Sequence, residues 1–150
     1  MTKNMYHYTE CGLDYVYLTS GFKVHKTTYG DAVEVENASK LDRVIALMVV
    51  HRQGRLTGQE VRFLRGLMDM TQAELGEYLG KDAQSIARWE KGKNEIPTAE
   101  DRALRQIYLE VTGHKQSFMK TSKHTAGLTT RLDQVRFKKV PHRIWAEASL

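Results

Sequence analysis

The residues best equipped for chemistry lie close together, in the stretch TQAELGEYLGKDAQSIARWEKGKN from Thr71 to Asn94. If the part that begins after Asp82 is helical, one of its faces carries Ala83, Gln84, Ser85, Arg88 and Lys91. That face holds hydrogen-bond donors and acceptors, two cations, no large apolar side chain and no acid. A face that only met water would mix acids with bases. Its chemistry is recognition by hydrogen bonds and positive charge, not bond making. Elsewhere nothing frames catalysis. Serines, histidines and aspartates occur without a local signature, and no carboxylate pair stands out. LTSGF and GDAVEVEN lack the spacing of a phosphate-binding loop. His7 and Cys11 are four apart, with His25 and His51 beyond, but a closed four-ligand metal site would need three well-placed histidines around that single thiol. No catalytic residue, metal or cofactor is expected, and Cys11 reads as a small buried side chain.

The elements that must position this face are short helices with readable ends. Thr71 with Glu74 starts one helix, Gly80 ends it in the left-handed conformation, and Asp82 opens the next. Ala73, Leu75 and Leu79 form the expected buried side of the first, and Ile86 and Trp89 that of the second. Gly76 stands where the two must approach closely. The turn between them is too short for antiparallel packing and suits a crossing of about 100°. Upstream, Thr57 and Glu60 make a capping box for a helix through VRFLRGLMDM. Downstream, Thr98 is the expected N-cap of a helix through Leu104, Ile107, Tyr108 and Val111 to Gly113.

The N-terminal part reads differently. YVYL (Tyr15–Leu18), FKVHKTT (Phe22–Thr28) and AVEVE (Ala32–Glu36) are rich in aromatic and β-branched residues, with turn chemistry between them. They predict a three-stranded antiparallel meander with one covered face bearing Phe22, Val24 and Lys26. Ser39 as N-cap and Asp42 three residues later open a helix on Leu41, Val44, Ile45, Met48 and Val49, which Gly54 stops. The expected class is therefore α+β. A small α+β domain over 1–54 precedes an all-α domain over 55–113. A basic, partly disordered tail over 114–150 follows, within which QVRFKKVPHRIW is an edge strand or a docking segment.

Net charge supports a polyanionic partner. From Gly113 onward eight basic side chains face only Asp133 and Glu147, a net +6 within a total of +5, so residues 1–112 carry −1. A single cysteine excludes an internal disulfide and fits a reducing compartment. No run approaches the roughly 18 apolar residues of a membrane helix, and MTKNMYHYTE has no apolar core of a secretory signal. A cytoplasmic protein without membrane contact is expected, nucleoid-associated when bound to DNA.

Arg65–Pro97, with TQAEL, the Gly80 turn, QSIARWEKGK and the following proline, resembles the Cro/CI-type (XRE) helix-turn-helix family of phage repressors and bacterial regulators. The likeness spans roughly Thr57 to Thr112 and implies a lambda-repressor-like domain. It implies roles position by position. Gln72 would touch a phosphate and a base edge beside it. Ala83, Gln84, Ser85 and Arg88 would face the major groove, with Gln84 suited to adenine and Arg88 to guanine. Lys91, Lys93 and Asn94 would bind phosphate, and Arg65 and Glu90 would form a buried ion pair. The resemblance further implies double-stranded DNA as partner and a homodimer reading an inverted repeat, acting as a transcriptional repressor. The layout is also similar to antitoxins that place a small N-terminal domain before the helix-turn-helix, although their paired CxxC motifs are missing. The alternative is therefore an antitoxin whose N-terminal domain binds a toxin and whose helix-turn-helix autoregulates the operon. A third reading, a small-molecule sensor with its pocket in the β region, has no pocket chemistry behind it.

Overall fold

The computed structural model describes residues 5–113, 135–140 and 143–147. Short strands precede five helices, as the α+β reading expects. In chain order the elements are β1 (Tyr6–His7), β2 (Val16–Leu18), β3 (Phe22–Thr27), β4 (Gly30–Val35), α1 (Ala38–His51), α2 (Gly58–Leu67), α3 (Gln72–Leu79), α4 (Ala83–Glu90), α5 (Thr98–Val111), β5 (Val135–Val140) and β6 (Arg143–Glu147). Two compact units divide within α1, between Ile45 and Ala46, and β5 and β6 join the N-terminal unit.

In the N-terminal unit the meander does not form. A four-stranded sheet runs in the order β1-β2-β5-β6, while β3 and β4 make a separate two-stranded hairpin. β2 lies parallel to β5, with Val16 beside Val135 and Leu18 beside Phe137, and antiparallel to β1. Those four side chains are buried, so the apolar face of β2 is matched across the sheet and not by β3. The segment read as tail or edge strand thus contributes an interior strand, β5, and an outer one, β6. Residues 114–134, 141–142 and 148–150, the rest of the expected basic tail, lie outside the described residues. In the hairpin, Val24 keeps 53% of its surface in water, so the expected covered face is open there. Tyr29 at its tip is fully exposed.

Trp145 anchors the hairpin's base. Its indole N–H donates to the Glu36 carbonyl at 3.1 Å, and its ring fills the space a side chain would need at Gly21. Helix α1 starts at Ala38, two residues earlier than an N-cap at Ser39 implies, after Asn37 in a positive-φ conformation. Asp42 does not complete a box with Ser39. It accepts a hydrogen bond from the Tyr8 hydroxyl at 3.0 Å, and burial pushes its carboxyl above the usual range against that bond.

In the second unit the caps largely follow the sequence. Thr57 and Glu60 form both halves of a capping box, Thr71 accepts from the Glu74 N–H, and Gly80 ends α3 at φ 67°. Helix α5 departs from expectation. Pro97 occupies its cap without a side-chain bond, and Thr98 is already helical, its hydroxyl accepting from Arg55. The core gathers Leu56, Val61, Leu64, Leu75, Ile86, Trp89, Ile96, Leu104 and Tyr108. Ala73, expected inside, is exposed, and Leu79 is half-buried.

Two buried ion pairs that the sequence did not announce brace this unit. The Arg105 guanidinium binds Asp101 and donates to the carbonyls of Val50, Arg52 and Gly54. The second oxygen of Asp101 accepts the Leu56 N–H at 2.6 Å. Arg52 pairs with the fully buried Glu60, which also holds the Thr57 N–H. Together they satisfy the backbone that leaves α1 and enters α2.

Candidate nucleic-acid interface

The turn from α3 to α4 is fixed by backbone crowding. A Cβ added at Gly76 would overlap the Lys81 carbonyl oxygen, and the Lys81 N–H donates to the Gly76 carbonyl at 2.8 Å. Only glycine admits that approach. At the other end of α4, a Cβ at Gly58 would overlap the Trp89 carbonyl oxygen and lie 2.7 Å from that of Glu90. Two glycines therefore set where α4 lies against α3 and α2, while buried Ile86 and Trp89 set its rotation.

That rotation turns Gln84 and Arg88 outward, both exposed, with Ala83 and Ser85 half-buried beside them. Asp82, the N-cap of α4, is an exposed acid at the head of this face. It accepts the Ser85 N–H at 2.7 Å. That bond, with the Ser85 hydroxyl and nearby Arg88 and Lys81, holds its carboxyl below the usual range. Ser85 thus already has a partner, a feature of the site that sequence reading missed.

Beyond α4 the chain turns through Gly92 at φ 74°. The N–H groups of Gly92 and Lys93 return to the carbonyls of Trp89 and Arg88 at 3.0 and 2.9 Å. Backbone donors are used in ending the helix, so this segment presents side chains: Lys91, Lys93 and Asn94 are all exposed.

Arg65 and Glu90 form an ion pair, Nη2 to Oε1 at 2.7 Å and Nε to Oε2 at 3.0 Å, with 17% and 5% of the side chains exposed. Arg65 also donates to the Met70 carbonyl at 2.9 Å. Half-buried Gln72 joins them, its Nε2 donating to Glu90 Oε2 at 3.3 Å. The head of α3 therefore meets the C-terminal end of α4 through Gln72 and Glu90.

Other chemistry-bearing residues are structural in their contacts. His7 stacks on Tyr17 with centroids 4.5 Å apart, and its Nε2 meets the Asp14 carbonyl. The Cys11 thiol donates to the Tyr8 carbonyl, and burial pushes it up to about 11. Among the described residues no cluster of three or more His, Cys, Asp or Glu could hold a metal ion. No described helix is long and apolar enough to cross a membrane. A shallow cavity of about 150 Å³ lies between Leu56, Val61, Trp89 and Ile96, rimmed by Arg55 and Glu95, in the helical unit and not in the β region.

Residues 61–100 match the family model described as helix-turn-helix. No curated protein and no solved structure matches the chain.

Proposed function

We propose that residues 61–100, which match a helix-turn-helix family model, are a DNA-binding module of the Cro/CI (XRE) type, and that the chain is a repressor reading an inverted-repeat operator as a homodimer. The observation that carries this reading is the outward face of α4, where Gln84 and Arg88 project from a helix fixed at both ends by glycine contacts. Gln84 pairs bidentately with adenine, Arg88 pairs with guanine O6 and N7, and Ala83 offers apolar contact to a thymine methyl. Ser85 stands at the groove with its hydroxyl shared with Asp82. Lys91, Lys93 and Asn94 take phosphates, setting register without reading sequence. One such face spans too few bases for selectivity, so two copies engage half-sites about 34 Å apart. Selection of bound sequences from a random DNA pool tests the reading. A palindrome is expected, and a pool that shows no enrichment overturns it.

A second reading, an antitoxin whose N-terminal unit binds a toxin, draws on the exposed hairpin, where Val24 and Tyr29 face water. Co-purification with the product of a neighbouring reading frame, lost on Tyr29→Asp, supports it. Recovery of the protein without that product argues against it.

A further inference from the structure

The β3–β4 hairpin has two unlike faces, and the apolar one is only partly covered. Phe22 with Val35, Val24 with Val33 and Lys26 with Asp31 are cross-strand pairs on one face. The other face is polar, with His25 and Glu34 in contact at 3.0 Å. At the base of the apolar face the Tyr6 ring lies 5.6 Å from that of Phe22. Farther out the cover stops. Val24 keeps 53% of its surface in water, and Lys26 and Asp31 are exposed. Among the described residues no third strand joins the hairpin, and neither Lys26 nor Asp31 has an ion-pair partner. An isolated two-stranded ribbon is marginal in water without something on its apolar face.

The order of side chains on that face suits a second copy of itself. A two-fold axis along the hairpin's length would set β3 of one copy against β4 of the other at equal heights. Val24 then meets Val33 of the second copy and Lys26 meets its Asp31, each contact made twice. An axis across the strands, centred on Val24, would instead seat Lys26 on Phe22 and leave both charges without partners. Pairing through the edges is disfavoured. β3 carries Lys23, His25 and Lys26 while β4 carries Asp31 and Glu34, so either strand beside its own copy aligns like charges. β3 beside β4 of another copy leaves free edges and does not close.

We infer that this hairpin face is the contact between two copies of the chain. The inference rests on the homodimer reading above and names the surface that reading leaves open. Six residues a side fall short of the about 20–30 of a standard interface, so the free dimer is weak and two half-sites on one DNA draw the copies together.

Sedimentation equilibrium of the full chain without DNA tests it. The wild type should pass from monomer to dimer between about 1 and 100 μM. Lys26→Asp and Asp31→Lys each set like charges together at two symmetry-related contacts and should weaken dimerisation about tenfold or more. Mixed one to one, the two variants regain both attractions across the axis and should associate about as tightly as the wild type. Repulsion within a single hairpin cannot produce that rescue. Should a charge variant fail to fold, Val24→Thr decides, since it keeps strand propensity and should weaken dimerisation about tenfold by burying a hydroxyl twice. A wild type that stays monomeric over that range, a mixture of folded variants without rescue, or Val24→Thr dimerising like the wild type overturns the inference. The repressor reading survives any of these if DNA selection returns a palindrome. A pool without enrichment beside hairpin-dependent dimerisation removes the repressor reading alone.

Discussion

Arg105 and Asp101, one turn apart on α5, share a 2.8 Å ion pair that is wholly enclosed. The same guanidinium collects the carbonyls that end α1, and burial pulls it below its ordinary pKa while Asp101 opposes that shift. Arg105→Met would strand a buried carboxylate and several carbonyls together. The expected loss is about 3–5 kcal/mol by chemical denaturation. A loss under about 1 kcal/mol would mean the pair braces nothing.

Gly58 and Gly66, both in α2, should respond in opposite senses to alanine. At Gly58 the new Cβ meets carbonyl oxygens at the end of α4, which cannot swing aside. A cost of about 1–3 kcal/mol is expected, with DNA affinity falling as α4 shifts. At Gly66 nothing lies within 4 Å, so alanine should raise stability by about 0.5–1 kcal/mol. Thermal melts of the two variants check the contrast.

Arg88→Ala and Lys93→Ala separate reading from anchoring. The first should cost about 1–3 kcal/mol on the best site and relax one base position. The second should weaken all DNA alike and lower the log–log salt slope by about 0.9. Binding titrations at several salt concentrations, on matched and scrambled sites, distinguish them. An Arg88→Ala effect equal on both sites would reassign that residue to phosphate.

Asp42 gives a pH dependence of definite sign. Its folded-state pKa is raised by burial, so the stability it contributes is complete below the ordinary carboxylate value of about 3.9 and is lost as pH climbs through the raised one. Asp42→Asn imitates the protonated form and lacks that titration. The variant should match the wild type in acid and become progressively the more stable of the two toward neutrality. A constant difference across the range would show that burial does not govern this carboxyl.

The helical unit was legible because its instructions are local. Thr57 reaches Glu60, Thr71 reaches Glu74 and Asp82 reaches Ser85, each three residues on. The exposure of Gln84 and Arg88 follows from the same periodicity. What escaped was non-local. The hydroxyl of Thr19 meets the Phe137 carbonyl 118 positions away, and no pattern within β2 announces such a neighbour. Lys138 and Lys139 interrupt the apolar alternation that would have marked β5 as interior. Arg105 reads as a solvated helix residue until the carbonyls it serves are assembled. In the site, the link of Gln72 to Glu90 was hidden because either partner alone suits water equally well.

The parallel pairing of β2 with β5 bears on the order of synthesis. Every residue of α2 to α5 leaves the ribosome before β5 does, so the helix-turn-helix is able to mature while β2 still has an open edge. A nascent chain is then competent in its helices before its first sheet is sealed. Messages cut short after α5 would yield a product that retains the matched 61–100 segment yet carries a two-stranded remnant too small to stand in water.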